Sequence, residues 1–387
     1  MTTRFTLDGS PALEAHLAAT SAKVGERIRA MIPEGELEGI LLGGGYGRGE
    51  GGVLRTPEGD RPYNDLEYYV FVKGSGWMAD RRWREPLHHL GEELSPEAGL
   101  EVEFKALTLG KLRKASPQMF YYDLVVGHRW VVGDDRLLAG CEHHRDASRI
   151  PLHEATRLLM NRCSGLLYSA ERLARASFGS EESDFVGRNH AKARLAFGDA
   201  WLAAQGQYHW SCKERHDRIR RLAAVGPTDS GKGLSTAELM REHAAGIQFK
   251  LFPVRTTASR EALQAEQDRL VQLGLKLWLW LEGRRLGMTF GTPRAYALDG
   301  ADLCPETSAL KNVLVNLRTF RGGALGGGRL ARYPRERLLR SLALLLWEPE
   351  TLRDPVLLAA VQGALRSDAQ DFPGLVQAYL RLWQRFN

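Results

Sequence analysis

The sequence predicts an α+β protein: an N-terminal mixed sheet with flanking helices, followed by an all-helical domain. Runs with strand character are confined to residues 37 to about 140, and helical periodicity dominates from about 151 onward. Hydrophobic residues make up 43% and charged residues 26% of the 387, which excludes a mainly disordered chain, a coiled coil and a collagen-like repeat. That length suggests two or three domains and is ample for a sizeable core. The expected divisions are a helix within residues 1–36 that packs on the following module, the module itself at 37–140, and a helical domain at 145–387.

The first element is a helix from Pro11 to about Met31, because Leu13, Leu17, Val24 and Ile28 recur at helical spacing before Pro33-Glu34-Gly35. Leu37 to Leu42 reads as a short buried strand running into Gly43-Gly44-Gly45. A Gly/Pro-rich connection follows, in which Thr56 to Pro62 reads as an inserted loop. Leu66 to Val72 is a second strand, stopped by Lys73-Gly74-Ser75-Gly76. Leu100 to Phe104 alternates, placing Glu101 and Glu103 on one face. Arg129 to Val132 is a further short strand. Helices are then expected at about 151–178, 187–206, 211–224, 259–287, 308–320, 334–347 and 354–386. Two loops, Thr289 to Leu303 and Arg321 to Arg329, read as flexible.

The chemistry points to the glycine run and the acids after it. A strand ending in glycines lets backbone N–H groups approach a phosphate chain with no Cβ in the way. Asp65 and Glu67 are two apart on a strand and share a face with Tyr69 and Phe71, opposite Leu66, Tyr68, Val70 and Val72. With Glu101 or Glu103 on another strand, they offer an all-oxygen Mg²⁺ site, and Mg²⁺ usually takes one or two carboxylates plus substrate phosphates.

Gly44-Gly45-Tyr46-Gly47-Arg48-Gly49-Glu50 followed by Asp65-Leu66-Glu67-Tyr68 resembles the signature of the polymerase-beta-type nucleotidyltransferase superfamily. The resemblance covers roughly residues 37–135. It implies a nucleotidyltransferase-like sheet and Mg²⁺-dependent (or Mn²⁺-dependent) transfer of a nucleoside monophosphate from a nucleoside triphosphate to an acceptor hydroxyl. It further implies that Gly44, Gly45 and Arg48 hold the triphosphate and that Asp65 and Glu67 bind metal. Glu103 is the best match to the third acid, with Glu101 the other candidate. Two features depart from the pattern: the 20-position gap from Gly45 to Asp65 is long, and Glu67 stands where Asp is commoner.

The later helices add weaker candidates. Arg157, Asn161, Ser164 and Tyr168 form one helical stripe that would line a cleft beside the carboxylates; the plainer reading is a solvated or interhelix polar face. Lys192 shares a face with Asp199, and the family often contacts the triphosphate with a lysine from its helical domain, so Lys192 is the candidate.

Other motifs are set aside. Gly226 to Gly233 nearly matches a P-loop, but Gly233 replaces the Mg²⁺-binding hydroxyl. Gly47 to Gly52 fits a weak GxGxxG pattern. His144-Arg145-Asp146 lacks the kinase asparagine, and His143 and His144 read as surface histidines rather than metal ligands. Four cysteines without a CxxC pair suggest a reduced, cytoplasmic protein, and no segment is apolar enough for a membrane role.

Seven arginines between Asn312 and Arg340 against Glu336 match the whole chain's net charge of +6. They read as a solvated helix face or a phosphate-binding surface. Few aromatic rings interleave with them, so a small-molecule or protein acceptor is favoured over RNA. ATP is the expected donor on cellular abundance. The competing reading is a catalytically inactive nucleotide- or nucleic-acid-binding protein of the same fold.

Overall fold

The computed structural model describes residues 4–224, 233–320, 330–348 and 350–387. The near P-loop from Gly226 to Lys232 and the glycine-rich stretch from Arg321 to Arg329 lie outside the described residues. The chain divides into two compact units, each discontinuous in sequence. The first comprises Met1–Pro151, Leu202–Ala224 and Ala244–Val254; the second comprises Leu152–Trp201, Val225–His243 and Arg255–Asn387. Two segments from beyond position 145 therefore belong with the sheet.

The sheet-bearing stretch runs α1 (Pro11–Met31), β1 (Leu37–Leu42), α2 (Gly44–Gly47), β2 (Gly52–Thr56), β3 (Gly59–Tyr63), β4 (Asp65–Val72), α3 (Gly76–Ala98), β5 (Glu101–Leu107), α4 (Leu109–Lys114), α5 (Met119–Val126) and β6 (Arg129–Val132). The main sheet has the order β5-β4-β1-β6, with β4 and β5 parallel and the other pairs antiparallel. Alternation along β4 works as the sequence requires. Leu66, Tyr68, Val70 and Val72 join the core made with α1 and α3, while Tyr69 and Phe71 join residues of α4 and α5 on the other face. Asp65 and Glu67 share that second face.

The stretch read as an inserted loop is a hairpin. β2 and β3 pair antiparallel from Gly52↔Tyr63 to Thr56↔Gly59. Its base is pinned by the Tyr46 hydroxyl, which meets Gly52 O at 2.8 Å and accepts from the Tyr63 N–H at 2.7 Å. Ser10, at the start of α1, donates its N–H to Asp60 at 2.7 Å. Helix α3 fills residues 76–98 although Pro86 and Pro96 lie inside it; Ser75 caps its start and Gly99, at φ 71°, ends it.

The remaining helices are α6 (Leu152–Leu173), α7 (Ser180–Ala204), α8 (Cys212–Ala224), α9 (Thr236–Leu251), α10 (Arg260–Leu286), α11 (Pro293–Leu298), α12 (Ala309–Phe320), α13 (Arg335–Trp347), α14 (Pro355–Leu365) and α15 (Phe372–Phe386). The expected flexible loop at 289–303 is instead built around α11. Thr292 caps it, and Phe290, Tyr296 and Leu303 are buried. The expected helix over 354–386 breaks after Leu365, where Arg366 takes a left-handed φ of 55°. The surface reading of His143 and His144 also fails: both turn inward, to the carbonyls of Ala115 and Leu112, each at 2.9 Å.

The described arginines near the C-terminus are not a uniformly solvated face. Arg340 donates to Glu336 and to the carbonyls of Ala297 and Ala301, while Arg335 donates to Phe386 O at 3.0 Å. Arg332 donates to Gly300 O at 2.6 Å and joins Glu336; only Arg318 of the described set is exposed. Arg332→Ala should therefore lower stability by about 1–2 kcal/mol, the worth of its hydrogen bonds to Glu336 and to the Ala301 and Gly300 carbonyls. The urea midpoint measures that loss, and a salt series with RNA should be unmoved by the substitution.

Candidate active site

At the end of β1 the chain turns tightly over the neighbouring strand. The Gly43 N–H donates to Glu67 O at 2.9 Å, so the turn is fastened directly to β4. Gly44 has φ 59°, and a Cβ there would lie 2.6 Å from Glu67 Oε2. A Cβ on Gly47 would lie 2.1 Å from Leu42 O. Gly47 is thus imposed by close backbone approach and Gly44 by its left-handed φ, and the turn they allow brings α2 beside the acidic strand. Gly44→Ala should cost about 1–2 kcal/mol from its left-handed backbone alone. Displacement of the Glu67 carboxylate adds to that cost, and chemical denaturation reads the sum.

The parallel pairing sets Asp65 opposite Glu101 and Glu67 opposite Glu103. Glu67 is half-buried, and its carboxyl is pushed above the ordinary value by burial, then by Asp65. Arg48 opposes the shift; Glu103 and Asp123 add to it. Glu103, on the exposed side of β5, is raised by desolvation and by Asp65 and Glu101. Asn64, itself at φ 82°, donates its side-chain amide to Asp65.

These donors are all oxygen, as a hard cation requires, and the like charge gathered on Glu67 is what a divalent ion relieves. Among the described residues, no three His, Cys, Asp or Glu side chains form a group that could hold a metal ion. The residues fit Mg²⁺ as a two-carboxylate site on one strand face, Asp65 and Glu67. That number suffices when substrate phosphates complete the shell.

Sequence reasoning missed the polar cluster around Arg48. Arg48 Nη1 lies 3.4 Å from Asp123 Oδ2, which also accepts from the Tyr208 hydroxyl at 3.1 Å. Arg215 reaches Tyr208 OH at 3.3 Å and His209 O at 2.8 Å. Burial is the largest influence on Arg48 and works against its charge, but Asp123, Tyr208 and Glu50 together outweigh it and Arg215, so the guanidinium is held above its ordinary value. Burial raises Asp123 despite Arg48 and Arg215.

Glu50, 4% exposed, accepts from Ser211 Oγ and from the Cys212 N–H. Burial tends to raise it, yet Lys250 and those hydrogen bonds bring it below its ordinary value. Lys250 is in turn lowered by burial. A signal for Asp123 was available: it is the only acid in the apolar run Phe120 to Val126. Arg215 sits in a charge-rich helix, and Lys250 near the end of a helix of ordinary charge content, and neither gave a signal.

The structure gathers Gly44, Gly45, Arg48, Asp65, Glu67 and Glu103 in the first unit. Asn161 and Lys192 belong to the second, on α6 and α7; Asn161 is half-buried and Lys192 exposed. In the same unit Ser164 is buried and hydrogen-bonded to the Tyr379 hydroxyl at 2.7 Å, so part of that stripe is interhelix packing. Asp199 is buried and paired with His243 at 2.9 Å. No helix among the described residues is long and apolar enough to cross a membrane. No family model, curated protein or solved structure matches this chain.

Proposed function

We propose that the first unit is a Mg²⁺-dependent nucleotidyltransferase of the polymerase-beta type, moving a nucleoside monophosphate from ATP or another nucleoside triphosphate to an acceptor hydroxyl. The observation that carries this reading is the glycine turn seated on the Glu67 carboxylate, with Asp65 on the same strand face. Asp65 and Glu67 would hold the metal, which when bound neutralises phosphate charge and promotes deprotonation of the hydroxyl.

The chain's own parts do the rest. Gly44 and Gly45 hold the backbone turn against the acidic strand, where a phosphate chain on the metal would pass. Arg48, anchored by Asp123, keeps a positive charge beside the carboxylates. Glu103, in register with Glu67, stands ready to take the acceptor proton. A small molecule or a protein side chain is the favoured acceptor over RNA. The four cysteines, buried and unpaired, suit the reducing cytoplasm.

A nucleotide-binding protein without turnover is the second reading, favoured by the three acids not forming one group. Pyrophosphate release with Mg²⁺ and each triphosphate, run with an acceptor screen using radiolabelled ATP, tests both. Label transfer supports the enzyme; nucleotide binding without release across the screen supports the binder.

A further inference from the structure

Between β3 and β4 the chain passes from the two-stranded sheet to the main sheet through a single residue, Asn64. Asn64 makes that corner at φ 82°, and Arg366 is the only other described non-glycine residue with a positive φ. Glycine would make the same corner without steric cost, and asparagine is tolerated there because its short amide can bond locally. Here the amide bonds forward, to Oδ1 of Asp65 at the first position of β4.

The backbone on either side of the corner is already fixed. Before it, the Tyr63 N–H donates to the Tyr46 hydroxyl of α2 at 2.7 Å. After it, the Glu67 carbonyl accepts from the Gly43 N–H at 2.9 Å. These bonds place the strand, but they do not set the plane of a carboxylate on its half-buried first residue. An amide held on one carboxylate oxygen does set that plane, so the group is presented in fewer orientations. The Asn64 side chain is exposed, and water competes for a hydrogen bond made there, so the bond adds little to stability.

We infer that Asn64 is a positioning residue that orients the Asp65 carboxylate toward the metal. The inference rests on Asp65 being a metal ligand, as proposed above. Hydrogen-bond partners of ligating groups are typically worth about 10–100-fold in metal affinity. Asp65 has other interactions too, so loss of the amide should loosen the carboxylate rather than free it. The expected effect is therefore at the low end, about tenfold.

The test titrates the full chain with Mn²⁺ in the presence of α,β-methylene-ATP, read by electron paramagnetic resonance, with urea denaturation alongside. Asn64→Gly keeps the corner and removes the amide. It should weaken Mn²⁺ about tenfold at a nearly unchanged urea midpoint. The Mg²⁺ concentration needed for half-maximal transfer should rise by a similar factor, while kcat at saturating Mg²⁺ changes less. Asn64→Ala, with a Cβ at positive φ and no amide, should lose stability as well as affinity. Asp65→Asn provides the reference for a lost ligand. If Asp65→Asn weakens Mn²⁺ while Asn64→Gly binds it like the wild type, Asn64 is a turn residue only and the inference is overturned. If Asp65→Asn also binds like the wild type, Asp65 is no metal ligand, and the proposed site and this inference fall together.

Discussion

Glu67→Gln should lower nucleotidyl transfer by about 10²–10³-fold, equivalent to about 3–4 kcal/mol on the barrier, and Asp65→Asn should do the same. Each substitution replaces a charged oxygen donor by a neutral amide without changing side-chain size, so the strand and its packing persist. Stability should move the other way. Burial and Asp65 raise the Glu67 carboxyl above its ordinary value of 4.5, so the folded protein holds this proton more tightly than the unfolded chain. A carboxylate of that kind destabilises the fold at neutral pH. The penalty fades as pH falls through the raised value and is gone below 4.5, where the unfolded group is protonated too.

Glu67→Gln should therefore raise the urea midpoint at neutral pH and lose that advantage in acid. The register puts Glu103, not Glu101, opposite Glu67, so Glu103→Gln should cost transfer activity where Glu101→Gln does not. Pyrophosphate release and paired denaturation curves check all of this. Near-wild-type turnover in a folded Asp65→Asn protein would take β4 out of the active site.

Local signals reached most of the sheet and some of the site. The bounds of β1 and β6 follow from their apolar runs, and the parity of β4 put Asp65 and Glu67 on one face with Tyr69 and Phe71. That inference needs only the two-residue repeat of a strand. The hairpin at 52–63 was hidden because Gly59, Asp60 and Pro62 are turn formers. They become a strand through long-range contacts with Tyr46 and Ser10. Helix α3 was hidden by Pro86 and Pro96, whose penalty is overridden where Trp83, Leu87, Leu90 and Leu94 pack on the sheet. The glycines were legible as a loop, but part of their reason, the contact of Gly44 with the Glu67 carboxylate, is tertiary, while that of Gly47 with the Leu42 carbonyl lies within the turn itself. Least legible was the partnership of Arg48 with Asp123, Tyr208 and Arg215, residues 75 to 167 positions away along the chain. No periodicity reports contacts at that range.

Asp123→Ala should destabilise the first unit by about 3 kcal/mol, at the low end of the range for breaking a buried pair because Asp123 is 24% exposed. Its Oδ2 is the common acceptor for Arg48 and the Tyr208 hydroxyl. Arg48 is 10% exposed and Arg215 3% exposed, and the latter bonds to the same Tyr208 hydroxyl. Removing the carboxylate strips Arg48 of its partner and leaves two buried cations facing each other with less compensation. Asp123→Asn is the informative contrast. The amide oxygen still accepts from Tyr208 and Arg48, and the lost charge is one that burial already disfavours, as its raised carboxyl shows. The asparagine variant should therefore keep most of the stability that the alanine variant loses.

Transfer activity separates a packing role from a positioning one. If Asp123 fixes Arg48 beside the nucleotide, both variants should raise the KM for the triphosphate, and the conservative one should restore stability without restoring KM. Equal denaturation midpoints for Asp123→Ala and wild type would show that Arg48 does not depend on this carboxylate.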